Sequence, residues 1–363
     1  MRKRVRKQLK LPDWPTIDRA LWERAITPAD FFEAEAGAAK WRPATRLSVT
    51  KSYGGWLGWL RARRKLDAEQ HPADRAAPEV VGAYALYLRS TSASGTVASH
   101  LQHLAMALTA MAPERDWAWL WNAVNLANRV RVPVREKRDR IVPEKELRRV
   151  ALALMQGEPL GDSLLEAVRF RDGLMIMLLA TRPIRIKNLH MMQIGRHLVP
   201  TSVGFDLRFE AVETKNARPI NLPMPVDMRE QIEVYLQIHR PILLAHGNAP
   251  APQNSFWLTR FGKPFSINAI RARLIEVTEK HLGKPVTPHL FRHCIATTVA
   301  LDDPGHLDII MSLLGHSCRS TAERYYIHAQ CQQAAGLYQK AIRAMRNGHK
   351  AEERRQRRMN GSH

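Results

Sequence analysis

Thr287-Pro288-His289-Leu290-Phe291-Arg292, Leu313-Leu314-Gly315-His316 and Glu323-Arg324-Tyr325-Tyr326 fall within one stretch, from Thr287 to His328. Proline directly after a threonine is a helix-start signal, so His289 and Arg292 belong to a first turn, three apart on one face. Both would point at whatever anion the helix N-terminus attracts. A second helix is expected to end at Gly315 and to deliver His316 just beyond its cap. A third begins near Ser320, where Ser320 and Glu323 have capping-box spacing, and carries Tyr325 in its second turn.

Two imidazoles, a guanidinium and a phenol in one compact helical segment suit phosphate chemistry with tyrosine as nucleophile. The ordered set is His289-x-x-Arg292, Leu314-Gly315-His316 and a tyrosine nine residues after that histidine. This combination resembles the tyrosine recombinase (phage integrase) family. The resemblance implies two further catalytic positions upstream, an arginine after a buried helix and a lysine in a β-hairpin.

The composition agrees with a nucleic-acid partner. The 363 residues are ample for two domains, each with its own core. Lys and Arg number 56 against 34 Asp and Glu, a net charge of +22. That excess is spread along the chain rather than confined to one tail, so an extended polyanion is the natural partner. No apolar run approaches the length of a membrane span. Cys294, Cys318 and Cys331 lack CxxC spacing and point to a reducing compartment, and the resemblance implies a prokaryotic cytoplasm with association to the nucleoid. The basic start, Met1-Arg2-Lys3-Arg4-Val5-Arg6-Lys7, has no apolar segment after it and is not a secretory signal. A phosphate-binding arm and a solubilising tail both remain open for it.

The expected organisation is a basic extension and helical lead-in over 1–44, an all-α DNA-binding domain over 45–130, a basic linker over 131–140, a catalytic domain over 141–346 and a charged tail over 347–363. In the lead-in, Trp14, Trp22, Phe31, Phe32 and Trp41 are available to pack locally. The first clear helical stripe is Val49, Tyr53, Trp56, Leu57 and Leu60, followed by Arg61, Arg63, Arg64 and Lys65. Pro78 starts a helix with Val81, Tyr84 and Leu88 on one face. Further stripes are Val97, Leu101, Leu104, Leu108 and Met111, then Trp117, Leu120, Trp121 and Val124. Their spacing fits burial rather than base stacking. The linker is β-branched, interrupted by Pro133 and dense in charge, with Arg135, Lys137 and Arg138. It reads either as an exposed hinge or as the closure of a clamp around a duplex, and with Arg61, Arg63 and Arg64 it supplies the candidate DNA contacts.

In the second domain, Pro143-Glu144 looks like a helix start, and Ser163 with Glu166 has capping-box spacing. The helix through Leu164, Val168, Leu174, Ile176 and Leu179 is apolar enough to be central and should stop at Thr181-Arg182-Pro183. Arg185 follows and matches the family's first arginine, although Asn188 stands where the family usually has an acid and Pro183 where a glycine is common. The period then changes to two. Phe205, Leu207, Phe209 and Ala211 alternate with Asp206, Arg208, Glu210 and Val212, Thr214-Lys215-Asn216-Ala217 is turn chemistry, and Arg218-Pro219-Ile220-Asn221-Leu222 is a returning strand. Lys215 therefore sits near a hairpin tip and, by the resemblance, is the catalytic lysine. Helices at about 226–239 and 266–280 flank a short Phe256-Trp257-Leu258 strand, and a last amphipathic helix runs through Leu337, Ala341 and Met345. The fold class is mainly α with a small antiparallel β-sheet in the C-terminal domain, arranged as a two-domain DNA clamp.

The resemblance thus assembles Arg185, Lys215, His289, Arg292, His316 and Tyr325. It implies attack by the Tyr325 phenol on DNA, a 3′-phosphotyrosine link and a free 5′ hydroxyl, with rejoining that needs no ATP. The chain has no P-loop, GxGxxG or HExxH, and no cofactor is expected. His293, His100 and His103 have spacings a metal could use, but no acid or cysteine lies near, so they read as ordinary helix residues and no metal site is expected. The implied activity is site-specific recombination of integrase or excisionase type in a mobile element. It would run in a homotetramer on paired double-stranded DNA sites, with room for accessory proteins. Two other classes use the same residues differently: topoisomerase-like relaxation without synapsis, and a DNA-binding accessory factor with a silent site.

Overall fold

The computed structural model describes residues 8–28, 37–132, 140–247, 254–302, 338–339 and 341–345, with the backbone alone over 300–302. The chain divides into two compact units, Met1–Glu136 and Lys137–His363.

The N-terminal unit is helical throughout its described residues: α1 (Thr16–Ile26), α2 (Pro43–Ala62), the short α3 (Pro72–Arg75), α4 (Pro78–Thr91), α5 (Ser94–Met111) and α6 (Ala118–Arg129). Proline opens α2, α3 and α4, where the missing N–H costs nothing and the fixed φ suits a first turn. The expected stripes form one core, with Val49, Tyr53, Trp56, Leu57 and Leu60 of α2 against Leu101, Leu104 and Leu108 of α5. Trp14 and Trp22 of the lead-in belong to that same core. A buried carboxylate fastens them. Asp18 accepts from the Tyr53 hydroxyl at 2.5 Å and from the Arg75 guanidinium, joining α1, α2 and α3. The Trp14 ring lies 4.9 Å from that of Tyr53. Gly54 permits the approach, because a Cβ there would sit 2.2 Å from the Leu9 carbonyl oxygen.

The second unit is built on α7 (Glu144–Met155) and α8 (Ser163–Thr181). From Phe170 to Ala180 every residue of α8 is buried: the apolar run from Gly173 to Ala180, as a central helix requires, and before it Arg171 and Asp172, which pair with each other. Gly173 lets α7 in close, since a Cβ would meet the Ala151 carbonyl at 2.7 Å. The N-cap of α8 is not Ser163 as the capping-box spacing suggested. Asp162 Oδ1 accepts from the N–H groups of Leu164 and Leu165 at 2.8 and 3.1 Å, and Glu166 turns back to the Leu160 N–H at 2.7 Å. A charged acceptor at the positive end of a helix outcompetes the neighbouring hydroxyl.

The short α9 (Ile186–His190) leads into an antiparallel sheet of β1 (Leu198–Pro200), β2 (Phe205–Phe209) and β3 (Ile220–Pro223), in that order. Leu198 pairs with Leu207, and Leu207 with Leu222. β2 stops at Phe209, and Ala211 belongs to a 3₁₀ turn, Ala211–Glu213, instead of continuing the strand. Phe256-Trp257-Leu258 is not a strand either. It is buried and held by isolated bridges and by hydrogen bonds to Met192 and from Phe265. The helix expected at 226–239 runs further, as α10 (Arg229–Val234), a π turn at Tyr235–His239 and α11 (Arg240–Ala245). The helix expected at about 266–280 is α12 (Ile267–Leu282), which starts on a Ser266 cap and ends at Gly283 with φ 65°. α13 (Pro288–Asp302) completes the core through Leu290, Phe291, Cys294 and Ile295. Cys294 packs there and accepts from the Val142 N–H at 3.3 Å, while burial pushes its thiol up to about 11.

Candidate active site

Four of the six expected catalytic residues lie among the described residues. Arg292 is presented by α13, whose first turn is capped as its sequence predicts: the Leu290 N–H lies 3.3 Å from the Thr287 hydroxyl and 2.7 Å from its carbonyl. The Arg292 side chain is buried, and its Nη1 donates to the Pro183 carbonyl. One of its five donors thus fixes the guanidinium to the turn that ends α8. His289 is exposed, and its Nε2 lies 3.2 Å from Nε2 of His293, one turn further along. His293 is thus a partner of a site histidine and more than a bystander on the helix.

Arg185 stands two residues after Pro183, at the N-cap of α9. It is half-buried, and burial pulls its guanidinium down from the ordinary arginine value. An arginine so shifted still keeps its charge at neutral pH. Its Nη2 donates to Asn216 Oδ1 at 3.4 Å. Asn216 follows Lys215, so the turn carrying the lysine is tied to the first arginine. Lys215 itself is exposed in the Thr214–Ala217 turn between β2 and β3. Behind it, the Thr214 hydroxyl accepts from the Arg218 N–H at 3.1 Å and closes the turn.

Asn216 and Glu213 were not singled out from sequence as supports, and Pro183 and Asn188 were noted there only as departures from the family's usual residues. Asn216 and the Pro183 carbonyl hold the two arginines. Glu213 is a buried carboxylate in contact with Arg196 and His197. Asn188, where the family usually has an acid, is buried and donates to the Glu213 carbonyl at 3.4 Å. Thr214-Lys215-Asn216 reads as turn chemistry, but nothing local in it shows that Asn216 reaches back across 31 residues to Arg185.

His316, Tyr325 and its neighbour Tyr326 lie outside the described residues, as do Arg135, Lys137 and Arg138 of the linker. Arg61 in the last turn of α2 and Arg63 and Arg64 just beyond it are exposed, with the Arg63 guanidinium 4.5 Å over the Trp59 ring and 5.0 Å over that of Tyr87. Among the described residues there is no group of three or more histidine, cysteine or acidic side chains placed to hold a metal ion.

A model of the phage integrase family matches residues 155–333, a span that takes in Arg185, Lys215, His289, Arg292, His316 and Tyr325. The chain belongs to that family. Among curated relatives, this family member is 27% identical over 215 residues to the tyrosine recombinase XerC of Pelotomaculum thermopropionicum, covering 59% of this chain and 65% of that one. It is 28% identical over 170 residues to XerD of Staphylococcus saprophyticus, covering 47% and 54%. The chain thus spans about half to two thirds of the length of these relatives. Of solved structures, the XerH site-specific recombinase bound to a palindromic difH substrate superposes with a TM-score of 0.57 at 14% identity, over 92% of this chain and 98% of that one. A lambda integrase fragment bound to a COC′ core site gives 0.51 at 14% identity, over 79% and 89%. The mainly helical fold with a small antiparallel sheet is therefore the fold of these recombinases.

Proposed function

We propose that this phage integrase family member is a site-specific DNA recombinase that cleaves and rejoins strands through a 3′-phosphotyrosine intermediate. The observation that carries the reading is the convergence of two arginines and a lysine-bearing turn. Arg292 is bonded to Pro183, Arg185 stands two residues on, and Arg185 is bonded to the residue after Lys215. Two guanidiniums held on rigid elements suit the non-bridging oxygens of a phosphodiester, where bidentate charge-assisted bonds strengthen as negative charge builds in the transition state. In the proposed step the Tyr325 oxygen bonds to phosphorus as the bond to the 5′ oxygen breaks. Lys215 donates a proton to that departing oxygen. His289 takes the phenol proton or steadies the phosphate, and His316 adds a hydrogen bond. Rejoining is the reverse, with the 5′ hydroxyl as nucleophile.

The wider reading follows the same line. The N-terminal unit is proposed to hold duplex DNA with Arg61, Arg63 and Arg64, and the linker to close a clamp with Arg135, Lys137 and Arg138. The active assembly is proposed to be a homotetramer on paired sites, working on the DNA of a mobile element at the nucleoid. Residues 338–339 and 341–345 are helical, with Tyr338 and Met345 exposed, which suits docking of this last helix on a neighbouring subunit.

Two measurements test the reading. Affinity for nonspecific duplex should fall by about 10³-fold or more between roughly 50 and 200 mM salt, as for a protein that neutralises several phosphates. An affinity nearly independent of salt would defeat the clamp. Lys215→Ala should cut an ordinary strand at least ~10²-fold more slowly, yet recover on DNA whose scissile 5′ bridging oxygen is replaced by sulfur, a leaving group that needs no proton. A variant that stays slow on the sulfur substrate has lost something other than its general acid.

A further inference from the structure

The turn that carries Lys215 is anchored by a carboxylate just before it. Glu213 closes the 3₁₀ turn Ala211–Glu213, and its side chain is 7% exposed. Oε1 accepts from Arg196 Nη2 at 2.5 Å and lies 3.2 Å from His197 Nε2, while Oε2 accepts from the Glu210 N–H at 2.9 Å. The Glu213 backbone carbonyl accepts from Asn188 on α9, three residues after Arg185. The His197 ring in turn stacks on Phe209 at the end of β2, with centroids 4.9 Å apart. The residue two before the lysine is therefore tied at once to the loop before β1, to β2 and to the helix that follows Arg185.

We propose that Glu213 is a positioning residue for Lys215, holding the root of the lysine's turn at a set place relative to Arg185. The proposal rests on the general-acid reading of Lys215. A lysine is a flexible four-carbon stem with a point charge at its end, so where its ammonium goes is decided by where its backbone is held. Lys215 is exposed and sits in a short turn, which by itself specifies little. Asn188 stands where an acid is usual in this family, and the acid that braces this part of the site comes instead from the hairpin side. Burial alone would raise the carboxyl's pKa, but the hydrogen bonds from the Glu210 N–H and from His197 and the field of His197 and Arg196 bring it below the usual carboxylate value. An ionised carboxylate accepts at both oxygens, whereas an amide in its place offers one acceptor and turns an N–H₂ toward one of the present donors.

A buried glutamate can also serve stability alone, and the leaving-group substrate separates the two roles. Glu213→Gln should cleave ordinary DNA roughly 10- to 10²-fold more slowly, a part of what a well-placed general acid supplies, and should return to near the wild-type rate on the 5′-sulfur substrate. Equal slowing on both substrates, or no slowing on either, would overturn the proposal. Arg196→Met removes one exposed partner and leaves His197 and Glu210 in place, so it covers the case in which Glu213→Gln does not fold. It should show a smaller slowing, also erased by sulfur, and a slowing that sulfur does not erase counts against the proposal. Lys215→Ala run alongside keeps the two readings apart. If it is not rescued, the general-acid role falls and the proposal with it; if it is rescued while Glu213→Gln is not, only the positioning role falls.

Discussion

Arg292→Ala should reduce strand cleavage by about 10²-fold or more, the cost of removing one donor aimed at transition-state charge, and should also lower the thermal stability of the protein. The second effect separates it from Arg185→Ala, for which a similar loss of cleavage is expected with little change in stability. Arg292 is 6% exposed and donates to the Pro183 carbonyl across 109 residues of chain. Truncation strips a buried carbonyl of a charged donor and leaves space where the side chain packed. A buried polar group left without its partner costs ~1–3 kcal/mol, which corresponds to a fall of several degrees in the melting midpoint for a unit of this size. Arg185 is half-buried at a turn, and its bond to Asn216 is long at 3.4 Å, so less of the fold depends on it. The check is a pair of measurements on each variant, single-turnover cleavage and a melting curve, with binding to the uncut site confirmed. Arg292→Lys keeps the charge but not the planar fork, and it should recover part of the stability and little of the cleavage. If Arg292→Ala melts with the wild type, the bond to Pro183 carries no weight in the fold.

The parts of the fold that could be read from sequence are those written in local spacing. Val49, Tyr53, Trp56 and Leu60 recur at helical period, and Pro78 opens a helix. Each of those signals acts within a few residues of itself. β1 escaped because Leu198-Val199-Pro200 is too short to show a period, and its pairing partner lies on the far side of a turn. Phe256-Trp257-Leu258 has strand composition, yet it is held by bridges and tertiary contacts in place of a ladder. The site divides in the same way. Residue identities and their order were legible, because His289-x-x-Arg292 and the hairpin around Lys215 are local patterns. The contacts that hold them were not, since Arg292 to Pro183, Arg185 to Asn216 and Glu213 to His197 each join separate segments. Asn188 shows the limit well: its departure from the usual acid is visible in the sequence, but its donation to the Glu213 carbonyl appears only in the fold.

Tyr325→Phe should still bind DNA and should form no covalent complex at all, whereas Tyr326→Phe should retain at least partial cleavage. The two tyrosines are adjacent in the sequence, and neighbouring positions on the helix expected there point about 100° apart, so only one of them would face a phosphate bound by the proposed arginines. The spacing of nine residues from His316, counted in the sequence, selects Tyr325. His328 lies two residues after Tyr326 and would suit a tyrosine–histidine pairing there. The sequence distance from the expected Gly315-His316 cap is the stronger constraint, because the geometry expected of that segment sets it, and His328 comes after both tyrosines in the sequence. A phenol with a reference pKa of ~10 is a poor nucleophile at neutral pH, and it attacks only where the oxygen loses its proton as it bonds to phosphorus. Phenylalanine at that position keeps the ring and removes the one atom that can make the bond. The loss should therefore be complete and should not depend on pH or on the leaving group, which sets it apart from Lys215→Ala. Trapping the adduct on a nicked substrate and sequencing the DNA-linked peptide by mass spectrometry reads the answer directly. Linkage to Tyr326 would overturn the assignment of the nucleophile while leaving the reaction class as proposed.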